Sequence, residues 1–371
     1  MTSPLSPPPS ADGPETVHYL KVSRLWWVTG PALFVFIGLI AVVAVRPAPY
    51  IALVPGSARS VSPLITLSAI NDGPKPLKET PSDDLLFVTV SVRRPSGAET
   101  VWRTFDDTAN VVPKQLVDGD QSREETRRFN LQLMTDSKDK ATKVALERAG
   151  YKVKAMATGA VVVDLDPTFP VAKVLRPGDT IVGADGKVVR ETKDLVAAIA
   201  THKPGEDITL RVQSFVSQEV RTARVQLQKN PEDPTKPQMG VSLEDRPKFT
   251  FPIKVEIDSG EVGGPSAGLA FTLALIDRLT VGSLTGDSFV AVTGTINLDG
   301  TVGPVGGVAQ KTEAALAQGA KAFIVPTDEF EDAKKAARGR LKIRQVTNVD
   351  QALAVLRELG GDRVPSVTEG G

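Results

Sequence analysis

The sequence predicts a mixed α/β (α+β) fold that carries an inserted, mostly-β module and one N-terminal transmembrane helix. Three observations predict this fold. Residues 240–360 alternate short apolar strands with helical segments, which is the layer pattern of α/β domains. Residues 151–230 have the pattern of short alternating strands, a turn at Asp185-Gly186 and one short helix. Residues 25–45 form a 21-residue run without a charge.

The N-terminal segment indicates where the chain resides. Residues 1–24 are rich in Pro and Ser and lack apolar periodicity, so we interpret them as a disordered tail. The 25–45 run is long enough to span a bilayer, and Trp26 and Trp27 lie at one end, where interfacial aromatic residues gather. It exceeds the ~7–15-residue core of a cleaved signal peptide. We therefore expect an uncleaved single-pass anchor, followed by a juxtamembrane linker over residues 46–60.

The hexapeptide Gly-Gly-Pro-Ser-Ala-Gly over residues 263–268 places Ser266 between an apolar alternating run and a helical segment. Backbone N–H groups at a helix start are unpaired and favour negative charge, which suits a nucleophile whose reaction develops an oxyanion. Glycines such as Gly264 let another backbone come close. Ser, Gly and Pro are also ordinary residues at helix starts, so the hexapeptide alone leaves both interpretations open.

Composition excludes several kinds of chemistry. The chain has no cysteine and only two histidines, His18 and His202, and neither lies in the segment of Ser266. A cysteine protease is therefore excluded, and neither a Ser-His-Asp triad nor a histidine-based metal site is expected. Net charge is zero, so nucleic acid is not an expected partner. The 371 residues contain no Gly-x-x-x-x-Gly-Lys-Ser/Thr loop, so no P-loop ATPase is expected, and no cofactor is expected.

Three motifs in order carry a family resemblance: Pro265–Gly268, Thr293–Ile296, and Gly303–Gly307 followed by Lys311. Together they resemble the proteolytic domain of the Lon protease family, which uses a Ser-Lys dyad. The resemblance implies that Ser266 is the nucleophile, that Lys311 is the base, and that Thr293 contacts the lysine. It also implies a supporting role for the neighbours of the serine, which are Gly264, Pro265 and Ala267.

A lysine can serve as a base only when its surroundings lower its pKa from about 10.4. Burial does so because desolvation penalises the ammonium form, and Lys311 lies among small apolar residues of a predicted helix. Most lysines on such helices are surface residues, and without the resemblance that interpretation would be favoured. The sequence also departs from ATPase-bearing relatives, which usually have an acidic residue at the position of Gly263 and Glu at that of Thr295.

The middle of the chain, residues 151–230, resembles a PDZ domain. The resemblance rests on the turn Arg176–Ile181, on Asp185-Gly186 and on a predicted helix over residues 192–201. PDZ domains bind extended peptides beside a strand and a helix, often through a C-terminal carboxylate. The corresponding loop is expected at Thr158, Gly159, Ala160 and Val161. It lacks the Gly-Leu-Gly-Phe form, so carboxylate capture and a purely structural module both stay open.

The resemblance also organises the rest of the chain. Residues 61–150, with a helix predicted over 123–149, are interpreted as the first part of a Lon-like proteolytic domain, and residues 240–360 as the second part. The PDZ-like module is inserted between them, with a Pro-rich return linker near residues 230–237. Residues 361–371 are expected to form a frayed tail.

These expectations favour a membrane-anchored, ATP-independent serine endopeptidase that acts on protein or peptide substrates. The alternative is a non-catalytic, PDZ-bearing peptide-binding or scaffold protein on a degenerate Lon-type fold. Nearby basic residues are balanced on the two sides of residues 25–45, so charge does not fix orientation. By resemblance we expect a cytoplasmic N-terminus and an extracytoplasmic catalytic body at the cell membrane. The resemblance also implies a homo-oligomer, a hexameric ring.

Overall fold

The structure is a computed structural model that describes residues 46–70, 85–106, 108–115, 122–286 and 288–362, together with eight positions between residues 29 and 45. The eight positions are helical, and the rest of the predicted transmembrane segment lies outside the described residues. Both predicted tails also lie outside them, except for Gly361 and Asp362. Within the part that the structure describes, no helix is long and apolar enough to cross a membrane.

The region before the inserted module forms a half-domain. Its elements are β1 (Tyr50–Ser60), β2 (Ile65–Ala69), β3 (Leu85–Arg93), α1 (Gly97–Thr104), β4 (Asn110–Pro113) and α2 (Arg123–Arg148). A capping box starts α2, because Ser122 Oγ accepts from the Glu125 backbone N–H while the Glu125 carboxylate accepts from the Ser122 N–H.

Strand β1 corrects the prediction that residues 46–60 are a linker. It lies inside a sheet, with β3 and β4 on its two sides. Pro55 and Gly56 interrupt its apolar alternation, and the pairing with β3 shifts register between Pro55 and Ala58. That bulge accommodates the two residues and explains why the sequence pattern concealed a strand.

The inserted module is a mostly-β unit. Its elements are β5 (Lys154–Leu165), β6 (Thr180–Ala184), β7 (Lys187–Val188), α3 (Thr192–Ile199), β8 (Asp207–Gln213), β9 (Val220–Gln226), β10 (Gln228–Lys229), β11 (Pro237–Gln238) and β12 (Val241–Thr250). The main sheet has the order β12-β5-β6-β8-β9, and β7 pairs with β6.

Strand β12 lies in the sheet of the inserted module. Residues 241–250 were assigned to the second part of the proteolytic domain, but β12 pairs with β5 along the length of both strands, from Val241 opposite Leu165 to Thr250 opposite Lys154. The predicted linker near residues 230–237 forms the loop of the short β10–β11 hairpin. The alternating pattern of β12 predicts a strand, but the pattern does not show which sheet the strand joins.

The region after the module completes the first half-domain. Its elements are β13 (Ile253–Ile257), α4 (Gly268–Leu279), β14 (Val290–Val292), β15 (Thr295–Ile296), β16 (Val302–Gly303), α5 (Val308–Ala317), β17 (Ala322–Pro326), α6 (Phe330–Ala337), β18 (Lys342–Val346) and α7 (Val349–Glu358).

Strands from both sides of the module share one sheet, whose order is β18-β17-β14-β3-β1-β4. Strand β14 is parallel to β3 and to β17, whereas β1 is antiparallel to both of its neighbours. Strands β2 and β13 form a second antiparallel pair across the insertion. Every residue of α4 is buried, and Phe271 on α4 packs against Phe87 of β3 with ring centroids 6.1 Å apart. The core therefore holds α4 rigidly, together with the loop that precedes it.

Candidate active site

The loop that carries Ser266 joins β13 to α4, and α2 holds it from one side. The Gly264 N–H donates to the Asn130 carbonyl at 2.8 Å. The buried Ser137 hydroxyl donates to the Pro265 carbonyl at 3.0 Å. These two contacts hold the main chain immediately before the serine, so α2 is part of the support for the site.

The two glycines of the loop have different structural reasons. Gly264 adopts φ of 89°, a left-handed conformation that favours glycine. At Gly263 a Cβ would lie 2.8 Å from the Cβ of Asn130, so the close approach of α2 leaves no room for a side chain. ATPase-bearing Lon proteases usually have an acidic residue at the position of Gly263. The packing of this loop on α2 explains why this chain has a glycine there.

The Ser266 carbonyl anchors the loop on its other side. It accepts a hydrogen bond from the Gly294 N–H at 3.0 Å and one from the Thr293 hydroxyl at 3.2 Å. Thr293 follows β14 and is fully buried. The main chain of the serine is thus fixed by the end of a central strand.

Lys311 lies on the first turn of α5, and its side chain points inward. It is only 3% exposed, and its Nζ donates to the Thr293 hydroxyl at 3.1 Å. Burial lowers the pKa of Lys311 from 10.5 to about 8, against an opposing effect of the Glu329 carboxylate. One buried hydroxyl therefore contacts both the amine of Lys311 and the main chain of Ser266.

Glu329 is the charged neighbour that acts on this lysine. Its Oε1 accepts from the Val305 N–H at 2.9 Å, which ties it to the Gly-rich segment before α5. Its Oε2 is buried and has no hydrogen-bond partner among the described groups. A carboxylate held in this way favours the ammonium form of Lys311 and limits how far burial lowers its pKa.

Two N–H groups beside the serine are free to bind an anion. Among the described residues, neither the Ser266 nor the Ala267 backbone N–H donates to an acceptor. Ala267 caps the N-terminus of α4, where the helix dipole favours negative charge. The pair therefore has the composition of an oxyanion hole.

His202 lies in the inserted module. Its Nε2 is 3.2 Å from Asp185 Oδ2, and its Nδ1 contacts the Ala198 carbonyl at 3.1 Å. These contacts account for both ring nitrogens within the module. His202 therefore has a structural role there, at a distance in the fold from the Ser266 loop.

The structure places the predicted peptide-binding loop within a strand. Thr158, Gly159, Ala160 and Val161 lie within β5, and the last two pair with β12 on one side and with β6 on the other. Ala160 is fully buried, and Gly159 provides close approach, because a Cβ there would lie 2.6 Å from the Thr180 side chain. Ala160 and Val161 are therefore paired on both sides, whereas Thr158 and Gly159 lie at a register shift between β5 and β12. Peptide binding at these four residues stays a prediction.

An open groove of about 740 Å³ lies beside the first half of β5. Of the four predicted residues only Thr158 lines it, and Met156, Val188 and Arg211 line it as well. No pattern in the sequence indicated these three side chains, because they come from three different strands. Their juxtaposition depends on the sheet order.

Helix α2 contacts both the serine loop and the inserted module. Phe129 packs edge-on against Phe215 of the module at 5.3 Å between ring centroids. Burial raises the pKa of Asp136 on α2, and the positive charge of Arg246 on β12 opposes this increase. Asn130 and Ser137 of the same helix hold the serine loop, so α2 contacts both the serine loop and the inserted module.

Comparison with known proteins agrees with both resemblances. Residues 241–358 match the model of the Lon protease (S16) C-terminal proteolytic domain, and residues 135–227 match the PDZ domain model. The chain therefore carries a Lon-type proteolytic domain, which supports a peptidase, and a PDZ domain. The assignment covers the domain of Ser266 and Lys311.

Curated relatives match over part of their length. The Lon protease of Lawsonia intracellularis is 35% identical over 135 residues, which is 34% of this chain and 16% of that protein. The Lon protease of Trichlorobacter lovleyi is 40% identical over 111 residues, which is 29% of this chain and 13% of that protein. The chain thus spans less than a fifth of the length of these two relatives.

Among solved structures, the PDZ domain of the SdrC-like protein Lmo2051 from Listeria monocytogenes is 22% identical. The match covers 23% of this chain and 87% of that one, with a TM-score of 0.21.

Proposed function

We propose that this protein is a membrane-anchored serine endopeptidase that cleaves peptide bonds with a Ser266–Lys311 dyad and without an ATPase of its own. The observation that carries the proposal is the buried amine of Lys311, which is hydrogen-bonded to a threonine that also binds the Ser266 main chain. The lowered pKa of Lys311 supports its role as a base.

The proposed reaction proceeds through an acyl-enzyme. The neutral amine of Lys311 takes the proton of Ser266 Oγ as that oxygen attacks the carbonyl carbon of the substrate. The oxyanion that forms accepts hydrogen bonds from the Ser266 and Ala267 N–H groups. The ammonium of Lys311 then protonates the leaving amine, and the ester formed on Ser266 is hydrolysed by a water that Lys311 deprotonates.

Thr293 positions the lysine in this scheme. It accepts from Nζ and donates to the Ser266 carbonyl, so it holds the amine toward the serine in either protonation state. Burial also removes competing water from the amine. No metal or cofactor has a step in the reaction.

The substrates we propose are unfolded or extended protein segments. The sequence contains no P-loop, so this chain has no such device for unfolding a stable domain with ATP. The PDZ domain is proposed to bind extended peptides and to deliver them to the protease site or to gate it. Anchoring through residues 25–45, with the body outside the cytoplasm, and assembly into a ring are proposals from the sequence.

The dyad is tested with matched variants. Ser266→Ala and Lys311→Arg should each lower hydrolysis of a fluorogenic unstructured protein by about 10³-fold or more, because an arginine stays protonated. The control is a second serine–lysine pair on the surface of the same domain, Ser288 and Lys321, whose Oγ and Nζ lie 3.3 Å apart. Ser288→Ala and Lys321→Arg should leave activity unchanged.

Circular dichroism and thermal unfolding establish that each variant is folded. Hydrolysis that survives in folded Lys311→Arg protein would refute the dyad. Full-length protein in detergent that binds peptides but shows no hydrolysis sensitive to Ser266→Ala would favour the scaffold alternative.

A further inference from the structure

Helix α1 has its apolar side turned outward. Ala98, Val101, Trp102 and Phe105 recur at the i, i+3, i+4, i+7 spacing of one helix face. All four are exposed, and Val101, Trp102 and Phe105 are 62%, 76% and 81% exposed. We call this set the α1 stripe.

The other side of α1 is polar and half-buried. Arg103 lies 3.1 Å from Glu99 and 3.6 Å from Asp106, so the charged groups on this side pair with one another. In a soluble domain the apolar stripe packs on the core and the polar side faces water. The reversed arrangement indicates that a second apolar surface covers the α1 stripe.

The position of α1 indicates what that surface is. The Gly97 N–H donates to the Arg46 carbonyl at 3.0 Å, and Ser96 forms an isolated β-bridge with Pro47. Arg46 is the first residue after the 25–45 run, and its own N–H donates to the Val42 carbonyl at 3.2 Å. Helix α1 is therefore fastened to the point where the apolar run ends.

The charges around α1 suit an anionic surface. Arg46, Arg93 and Lys114 are exposed, and Lys114 is tied to the same region because its N–H donates to the Pro49 carbonyl. The acidic groups of α1 are neutralised by Arg103. Exposed basic residues beside an outward aromatic stripe match the composition of helices that lie in a membrane interface.

We propose that α1 lies in the surface of an anionic phospholipid bilayer, with the side chains of Val101, Trp102 and Phe105 inserted at the boundary between headgroups and acyl chains. The proposal rests on the proposed anchoring through residues 25–45. It adds a second membrane contact, on the catalytic body itself. Two contacts fix the orientation of the body toward the bilayer, which a single helix and a flexible linker would not do.

Trp102 provides a direct probe, because the chain has three tryptophans. Full-length protein with Trp26→Phe and Trp27→Phe is reconstituted into vesicles of phosphatidylcholine and phosphatidylglycerol, with and without lipids brominated near the headgroup end of the acyl chains. We expect bromolipid to quench the emission of Trp102 by roughly half or more, because the side chain lies beside the brominated part of the acyl chains. We expect aqueous iodide to quench this emission weakly, because the side chain lies out of the water.

A double substitution, Val101→Ser with Phe105→Ser, should restore iodide quenching of Trp102 and abolish bromolipid quenching. Both positions are exposed, so folding should persist, and Val220→Ser, at an exposed valine of the PDZ domain, is the matched control. Trp102 that is open to iodide and insensitive to bromolipid overturns the proposal. So does Trp102 that is shielded from both quenchers, which would indicate a second copy of the chain on the stripe.

Flotation of the vesicles separates this proposal from the anchor. Protein that floats with vesicles at high salt while Trp102 stays in water retains the anchor and refutes only the role of α1. Protein that does not float at all refutes both.

Discussion

Lys311 concentrates the chemistry of the site in one buried amine. With a pKa of about 8, roughly a tenth of its population is neutral at pH 7, compared with fewer than about one in a thousand for an ordinary lysine. The Thr293 hydroxyl gives this amine one fixed direction. Burial and one hydrogen bond thus replace the histidine that this domain lacks.

The pH dependence of hydrolysis follows from that pKa. In the proposed mechanism the neutral amine is the active form, so kcat/KM should rise with pH and level off above a midpoint near 8. The measurement is kcat/KM for a short fluorogenic peptide between pH 6 and pH 10. A profile that is flat from pH 7 to pH 9 would contradict the assignment of Lys311 as the base.

Glu329 sharpens this test. Its negative charge raises the pKa of Lys311, so Glu329→Gln should move the midpoint to lower pH. Glu331→Gln, at an exposed position on α6, is the control and should leave the midpoint in place.

The buried Lys311 should also lower the free energy of unfolding of the protein. Its pKa is lowered in the folded protein, so between pH 8 and 10.5 the unfolded chain binds more protons and stability rises with pH. Below pH 8 the ammonium is buried and the full cost applies, which is about 3–4 kcal/mol for a pKa lowered from 10.5 to about 8, at ~1.4 kcal/mol per pKa unit. Lys311→Met should therefore raise the free energy of unfolding by up to that amount at pH 7, and the gain should shrink toward pH 10.5. Urea titrations at both pH values measure it; a gain independent of pH would be inconsistent with the cause.

At the scale of elements, α2 supports the serine loop. Ser137→Ala leaves the half-buried Pro265 carbonyl without its donor, which should cost about 1 kcal/mol of stability. It should also lower kcat by about tenfold with little change in KM, because the serine loop shifts while the binding surface stays in place. The control is Thr135→Ala, an exposed hydroxyl on the same helix that bonds only the Leu131 carbonyl. Unchanged kcat in Ser137→Ala protein would remove α2 from the support of the site.

The sequence predicted the elements that have strong local signals. The helix expected over residues 123–149 is α2 (Arg123–Arg148), with the capping box that Ser122 and Glu125 encode. The motifs of Ser266, Thr293 and Lys311 are compact and ordered along the chain, and in the structure Thr293 contacts both Lys311 and the Ser266 main chain. The local sequence pattern could not predict which strands pair with one another or which way a given side chain points. β1 was concealed by Pro55 and Gly56, β12 joined the other sheet, and nothing in the periodicity of α2 set Ser137 toward Pro265.

At the scale of the whole molecule, the PDZ domain is attached by two neighbouring strands. Lys154 pairs with Thr250, so the chain enters and leaves the module side by side. Removal of residues 155–249, with a two-residue Asn-Gly turn in their place, should therefore leave the proteolytic domain folded. Removal of residues 151–230 alone, the bounds that the sequence predicts for the module, would leave β12 without β5.

We expect the shortened protein to cleave short peptides at a rate similar to that of the full chain and to change its choice among protein substrates. Peptide hydrolysis and proteomic cleavage profiles measure the two effects, with Ser266→Ala in the shortened chain as the blank. Loss of the folded state would show that the Phe129–Phe215 contact and its neighbours make the module structural.

The same pair of strands has a consequence for how the chain reaches its native state. β3 must find β14 across about 200 residues, and that closure is costly in entropy while the intervening chain is unfolded. If the PDZ domain folds first, it places Lys154 beside Thr250, and about 95 residues no longer add to the length of the unfolded loop between β3 and β14. The effective loop is roughly halved, a gain of about 0.6 kcal/mol by chain statistics. During synthesis the inserted module would then bring the two halves of the protease close together before either half can complete its sheet.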